Sequence, residues 1–296
     1  MRQGTLAAAV AYILWGLLPI YWKAVSAVPA LELLGHRIVW SLVVVLVLLL
    51  LRRNWQWLDQ ARARPAMLLP FVVTAALLAA NWFTYIWATN NNHIVEASLG
   101  YFINPLLNVL LGLVFLRERL RPGQWLAVAI AAVGVSYLVF NIGGLLWVSF
   151  TLALTFGFYG LLRKIAPLGS LEGLTVEMSV LFLPALLLLF SLQQAGTGAF
   201  GHASPAFQLL LAMSGVITAA PLLCFAFAAK RVTMTTLGIL QYIAPTLQFM
   251  LGVFVYGEVF PPERLVGFAI IWTALLVYSV ESLQNRRRRR GVLMAN

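Results

Sequence analysis

Charged residues are scarce in this chain: Asp, Glu, Lys and Arg together make up 10% of it, against about a quarter in a soluble domain. With 62% hydrophobic residues and a mean hydropathy of +0.91, that scarcity excludes a soluble fold and implies an integral membrane protein. Acid is rarer still, with nine Asp and Glu against 20 Lys and Arg. The single cysteine, Cys224, excludes an intramolecular disulfide and any Cys-pair metal centre. There is no GxxxxGKS/T loop for a nucleotide, no HExxH and no GxSxG elbow. An enzyme, a cofactor and a metal site are therefore not expected, and no nucleotide-binding subunit is implied. No cleavable leader is apparent, since the first apolar stretch holds Trp15, Pro19 and Tyr21 and runs straight into a second.

What the chain does have is long apolar runs. A spanning helix needs about 20 such residues, and runs of that length fall near 4–23, 31–51, 68–89, 95–116, 122–140, 144–162, 172–192, 206–229, 236–256 and 263–281. The expected fold class is an all-α integral membrane protein of ten transmembrane helices. The joining segments are short, the longest lying between Arg52 and Met67 and between Gln193 and Pro205, so no soluble domain fits between spans.

Orientation follows from Lys and Arg, which short loops retain on the cytoplasmic side. Arg2, Arg52, Arg53, Arg62, Arg64, Arg117, Arg119, Arg121, Arg163, Lys164, Lys230, Arg231 and Arg286 to Arg290 all fall on one side. Only Lys23, Arg37 and Arg264 do not. Both termini are expected in the cytoplasm, and the net charge of +11 records this topology. Nucleic acid is not needed to explain it.

The stretch from Ile103 to Ile130 recurs without a gap from Ile243 to Ile270, with nine of 28 positions identical. Among them are Pro105/Pro245, Gly112/Gly252, Glu118/Glu258 and Pro122/Pro262. Five spans separate the copies, an odd number, so the second copy enters the membrane from the opposite side. The loop after the first copy carries Arg117, Arg119 and Arg121, while its image from Gly257 to Pro261 carries no basic residue. The expected organisation is two inverted five-helix repeats, 1–141 and 142–285, around a central cavity, with a basic tail at 286–296. Inverted repeats of this kind characterise secondary transporters, whose substrate site lies near the midplane where the halves meet.

Polar residues at depth are the candidates for that site, because an ionisable group in the bilayer requires a partner or a cavity. Glu32 and His36 are four apart and share a helix face, whereas Arg37 is turned by about 100° and lies roughly 8 Å deep. The trio is either a charge cluster holding the outer loop or a site in which Arg37 anchors a carboxylate or phosphate and His36 titrates. Glu177 is either a buried proton acceptor or cation site, or the local partner of Arg163 or Lys164. Pro105 and Pro245 each fall midway along a span, where proline removes a backbone hydrogen bond and kinks the helix. Tyr101, Asn104 and Asn108 flank the first kink, and Gln241, Tyr242 and Gln248 the second. Asn81 and Tyr85, four apart in the third span, are expected to wall the same cavity. Gly16, Gly157 and Gly160 are expected to let helices approach closely.

Several segments carry a family resemblance: WGLLPIYWK from Trp15, ELLGHRIVWS from Glu32, NWFTYIWATNNNHIVEASLGYFINPLLN from Asn81, FYGLLRK from Phe158, PLLCF from Pro221 and LGILQYIAPTLQF from Leu237. Together they resemble the RarD-type permeases of the EamA group, in the drug/metabolite transporter superfamily. The resemblance implies a ten-helix bundle in a bacterial inner membrane with a cavity open alternately to each side. It also implies export of a small-molecule substrate, amino acids first. The RarD group is named for an association with chloramphenicol sensitivity. Many members have Gly before the Glu that closes the fourth span. Here Arg117 takes that place, while Gly257 keeps the pattern in the second half. Beyond the substrate, the expected partners are membrane lipids. A channel or a small-molecule sensor using the same cavity is the alternative function.

Overall fold

In the computed structural model, which describes residues 2–53, 55–91, 93–142, 146–257 and 262–295, the described residues form helices and turns only. The helices are α1 (Arg2–Ala24), α2 (Ala30–Arg52), α3 (Gln56–Ala63), α4 (Leu69–Asn90), α5 (Ile94–Phe115), α6 (Pro122–Ile142), α7 (Leu146–Ile165), α8 (Ser170–Gln194), α9 (Pro205–Ala229), α10 (Met234–Gln241), α11 (Ile243–Met250) and α12 (Pro262–Ala295). Among the described residues, ten helical segments are long and apolar enough to cross a membrane, and they coincide with the ten apolar runs. The protein is a multi-pass membrane protein. Glu258 and the side chains of Arg264 and Arg286 to Arg290 lie outside the described residues.

Three details depart from expectation. The loop after α2 contains α3, a helix of 8 residues with Asp59 and Arg62 paired on its surface, too short to register as a hydrophobic run. The last helix does not stop near 281 but continues through the tail to Ala295, a stretch that holds no proline to break it. The two matching prolines also behave differently. α5 runs through Pro105 as one helix. The ninth span is interrupted at Tyr242, three residues before Pro245, and ends in a π-helical turn over Leu251–Val255. The break falls where proline acts: the ring of Pro245 crowds the carbonyl four residues back, that of Gln241, and leaves it without its N–H.

Inside a bilayer the helices gain little from a hydrophobic drive between them, and close van der Waals packing takes its place. α1 packs on α9 and α11, α2 on α8 and α9, α4 on α7 and α8, α5 on α7 and α10, and α6 on α12. The tightest crossings occur at glycine. A Cβ at Gly215 would collide with the backbone of Trp40, and one at Gly238 with the carbonyl of Pro105. These two positions set how close α9 comes to α2 and α10 to α5. At Gly16 a Cβ would stand 2.7 Å from Leu247, at Gly157 2.8 Å from Leu107 and at Gly160 3.1 Å from Phe225.

Arg117 and Gly257 are both left-handed, with φ of +52° and +64°. Glycine adopts that conformation freely, whereas a residue with a Cβ is strained in it. The structure thus supplies the reason for the Gly-Glu pattern, and Arg117 holds the glycine position under strain.

Candidate functional site

α1 turns one face to the middle of the bundle. Tyr12, Trp15, Pro19 and Trp22 recur at spacings of three and four, so they share that face. They line a cavity of about 220 Å³ together with Arg37 from α2, Asn81, Trp82 and Tyr85 from α4, Tyr101 from α5, Phe156 from α7, Thr218 from α9, and Gln241, Pro245 and Gln248 from the broken ninth span. The lining begins at the midpoint of α1, at Tyr12, and reaches Trp22, two residues from its end. Tyr12 is buried, whereas Tyr85, Tyr101 and Gln248 are exposed. The cavity therefore extends from mid-bundle towards the end opposite the basic loops.

Arg37 is held from several sides. Its Nε donates to Thr218 Oγ1 at 3.0 Å, and its guanidinium carbon lies 4.8 Å from the ring of Trp82 and 5.0 Å from that of Trp22, within cation–π range. Its two neighbours from the sequence cluster face elsewhere. Glu32 Oε1 accepts from the backbone N–H of Ala199 at 2.6 Å, and His36 Nε2 lies 3.6 Å from the same oxygen with its ring against Phe200. The cluster divides into one face that ties down the segment before α9 and another that enters the cavity.

The amides divide in the same way. Asn104 donates to the carbonyl of Ala153 at 2.6 Å, and Asn108 donates to Asn104 Oδ1 at 3.0 Å and to Gln241 Oε1 at 2.9 Å. This ladder joins α7, α5 and α10 across the core, and neither asparagine reaches the cavity lining. Tyr242 is also absent from it: fully buried, it donates to the carbonyl of Phe102 at 3.3 Å. Asn104, Asn108 and Tyr242, expected to contact substrate, thus stand outside the lining of this cavity. Shared spacing put them on a common face, but that face is filled by a neighbouring helix. Gln241 remains in the lining, as does Asn81, whose Nδ2 donates to Leu152 O at 3.0 Å and Thr155 Oγ1 at 2.9 Å.

Glu177 also lies away from the cavity. It is fully buried, accepts from Thr74 Oγ1 at 2.6 Å and from the Tyr159 hydroxyl at 3.4 Å, and stands 3.5 Å from Arg163 Nη1. Arg163 is equally buried, donates to the carbonyl of Ser170 at 2.9 Å, and lies against Phe71 and Gly173. A Cβ on Gly173 would clash with Arg163 Nη1 and with the ring of Phe71. Of the two readings of Glu177, the local ion pair is the one its surroundings match.

The model of the EamA-like transporter family matches residues 2–140. An uncharacterised transporter of Pseudomonas aeruginosa is 45% identical over 97% of this chain and 97% of its own length. Protein RarD of Escherichia coli is 42% identical, again over 97% of both chains. This chain belongs to the EamA-like transporter family. Within it the similarity is to RarD-type permeases, including the chloramphenicol-sensitive protein RarD of Pseudomonas aeruginosa, 36% identical over 98% of both chains. A crystal structure at 21% identity superimposes with a TM-score of 0.70 over 94% of this chain and 97% of the other, which bears on the fold alone.

In this EamA-family permease polar contacts tie the helix ends together at the basic end of the bundle. Glu118 caps α10, accepting from Met234 N at 2.6 Å, Thr235 N at 3.1 Å and Thr235 Oγ1 at 2.9 Å. Lys164 Nζ donates to the carbonyls of Ala229 and Val232, and Lys230 Nζ to those of Ala166 and Leu168. The two lysines exchange places across adjacent turns and bind α7 to the α9–α10 corner. Burial, with Arg163 nearby, holds the Lys230 ammonium below the usual lysine range. At the rim, Glu281 grips Arg121 through both oxygens, which raises the Arg121 pKa above its ordinary value. Sequence reasoning missed Trp22, Phe156 and Thr218 in the cavity. The α1 spacing carried a signal for Trp22, while Thr218 becomes visible only once α9 lies on α2.

Proposed function

We propose that this permease is a secondary carrier that moves small polar or amphipathic metabolites out of the cell by alternating access. It would reside in a bacterial inner membrane with both termini cytoplasmic and with two inverted five-helix repeats, 1–141 and 142–285, flanking the cavity. The observation that carries this reading is the asymmetry of closure. A cavity lined from mid-bundle towards one end faces a seal of Glu118, Lys164 and Lys230 at the other. A carrier held in an outward-facing state has this arrangement, and exchanging which end is tied would complete the cycle. Asn81, Tyr85, Tyr101 and Gln241 would contact the substrate, and Arg37 would supply charge.

The test is counterflow in liposomes containing the purified protein, preloaded in turn with amino acids, drug-like solutes and nucleotide-derived solutes. Saturable uptake stimulated by solute on the far side is the expected result. Flux that never saturates would replace the carrier with a channel, and binding without flux would replace it with a sensor.

A further inference from the structure

The cavity carries charge of one sign. Among the described residues that line it, Arg37 is the one ionised side chain at neutral pH, and no Asp or Glu accompanies it. Its Nε is used by Thr218, while its Nη1 and Nη2 meet no protein acceptor among the described residues. Glu32, the nearest acid along α2, is committed to Ala199 on the other face. A guanidinium presented in this way offers two parallel N–H donors, which match a carboxylate or a phosphate and give a bare amine nothing. An unpaired cation partly removed from water also favours an anionic partner.

The remaining walls define the other end of the ligand. Trp15 and Phe156 pack edge to face at 5.5 Å between ring centres, and with Trp82 they offer flat apolar surface. Tyr85 and Tyr101, 6.2 Å apart between ring centres, stand beside the guanidinium and offer hydroxyls. The cavity, of about 220 Å³, has room for a small acid.

We infer that the ligand of this cavity is a small organic anion: one carboxylate or phosphate head on Arg37, an apolar or aromatic body against Trp15, Trp82 and Phe156, and no amine. This deepens the carrier reading and rests on it for transport. It sets amino acids aside, because an α-ammonium would sit near the guanidinium with no acid to balance it.

The experiment reads binding without flux. The full chain in detergent is titrated with phenylacetate, phenyl phosphate, phenylacetamide, phenethylamine and phenylalanine, and the fluorescence of the cavity tryptophans is followed. One or both anions should bind, and the tighter of the two identifies the head group. Phenylacetamide, phenethylamine and phenylalanine should bind at least tenfold more weakly. Arg37→Gln should remove the preference for anion over amide. Arg37→Lys keeps the charge without the fork, so it should keep the preference at reduced affinity, and it serves if the first variant fails to fold. Equal binding of phenylacetamide or phenylalanine and phenylacetate, unchanged anion binding in Arg37→Gln, or no binding by any probe would overturn the inference. Intact anion binding without counterflow would instead remove the carrier reading and leave this one standing.

Discussion

The pair of Arg163 and Glu177 permits a sharp test of how the core is held. At 3.5 Å and with both side chains inaccessible to solvent, the Coulomb attraction is about 5 kcal/mol at an effective dielectric constant of about 20. Desolvation opposes most of it, so the pair adds little net stability, but removing one partner leaves a buried charge and costs about 3–5 kcal/mol. The two single variants are not equivalent. Glu177→Gln strands a guanidinium that cannot give up its proton, whereas Arg163→Met strands a carboxylate that can take one up. Glu177→Gln should therefore be the worse, even though glutamine can still accept the hydrogen bond from Thr74. The double variant should recover most of the loss, because both charges are gone. At about 2 °C per kcal/mol for a chain of this size, thermal unfolding in detergent should place Glu177→Gln roughly 6–10 °C below wild type. Arg163→Met should fall between the two, and the double variant within about 2 °C of wild type. A double variant no more stable than Glu177→Gln would refute the pairing. Normal stability together with lost pH dependence of transport in Glu177→Gln would return that residue to proton coupling.

Three further outcomes follow from the same geometry. Gly173→Ala should mimic the loss of Arg163, because its methyl group would clash with Nη1, and a drop of about 3 kcal/mol should appear in the same unfolding assay. Asn104→Ala and Asn108→Ala should cost about 0.6–1.7 kcal/mol each by breaking the interhelical ladder while leaving the KM for transport unchanged; a raised KM in either would put the asparagines back in the site. Arg117→Gly should raise stability by about 1 kcal/mol by relieving the left-handed strain, and a lowered midpoint would show that Arg117 holds a contact that outweighs it.

The sequence made the spans legible because membrane thickness imposes a length and a polarity on each of them, and no tertiary partner is needed to see that. The cavity was legible in part. The recurrence of Pro105 at Pro245 led to Tyr101 and Gln241, and both line it. What the repeat hid was its own asymmetry. Identical prolines leave α5 intact and break the ninth span, because the outcome depends on what packs beside each helix: Asn104 and Asn108 tie α5 to α7 and α10 on either side of Pro105. The asparagines were assigned to the substrate for a related reason. Helical spacing tells which residues share a face and is silent about what lies opposite. Arg37 separated from His36 on rotation alone, since 100° of helix carries one side chain into the cavity and the other towards Phe200.

The joint between α2 and α9 has a consequence for motion. The backbone of Trp40 lies against Gly215, Ser41 donates to the carbonyl of Gly215 at 3.2 Å, and Arg37 is bonded to Thr218 one turn further along. With no side chain between the backbones at Gly215 to slide or re-pack, these two helices would travel as one beam in the proposed cycle. Whatever would rock to exchange one opening for the other in that cycle, the guanidinium would keep its station on that beam. A molecule moored to it would be turned neither end over end nor handed to a second hook, and would leave by the far door with the same end still tied until the last moment.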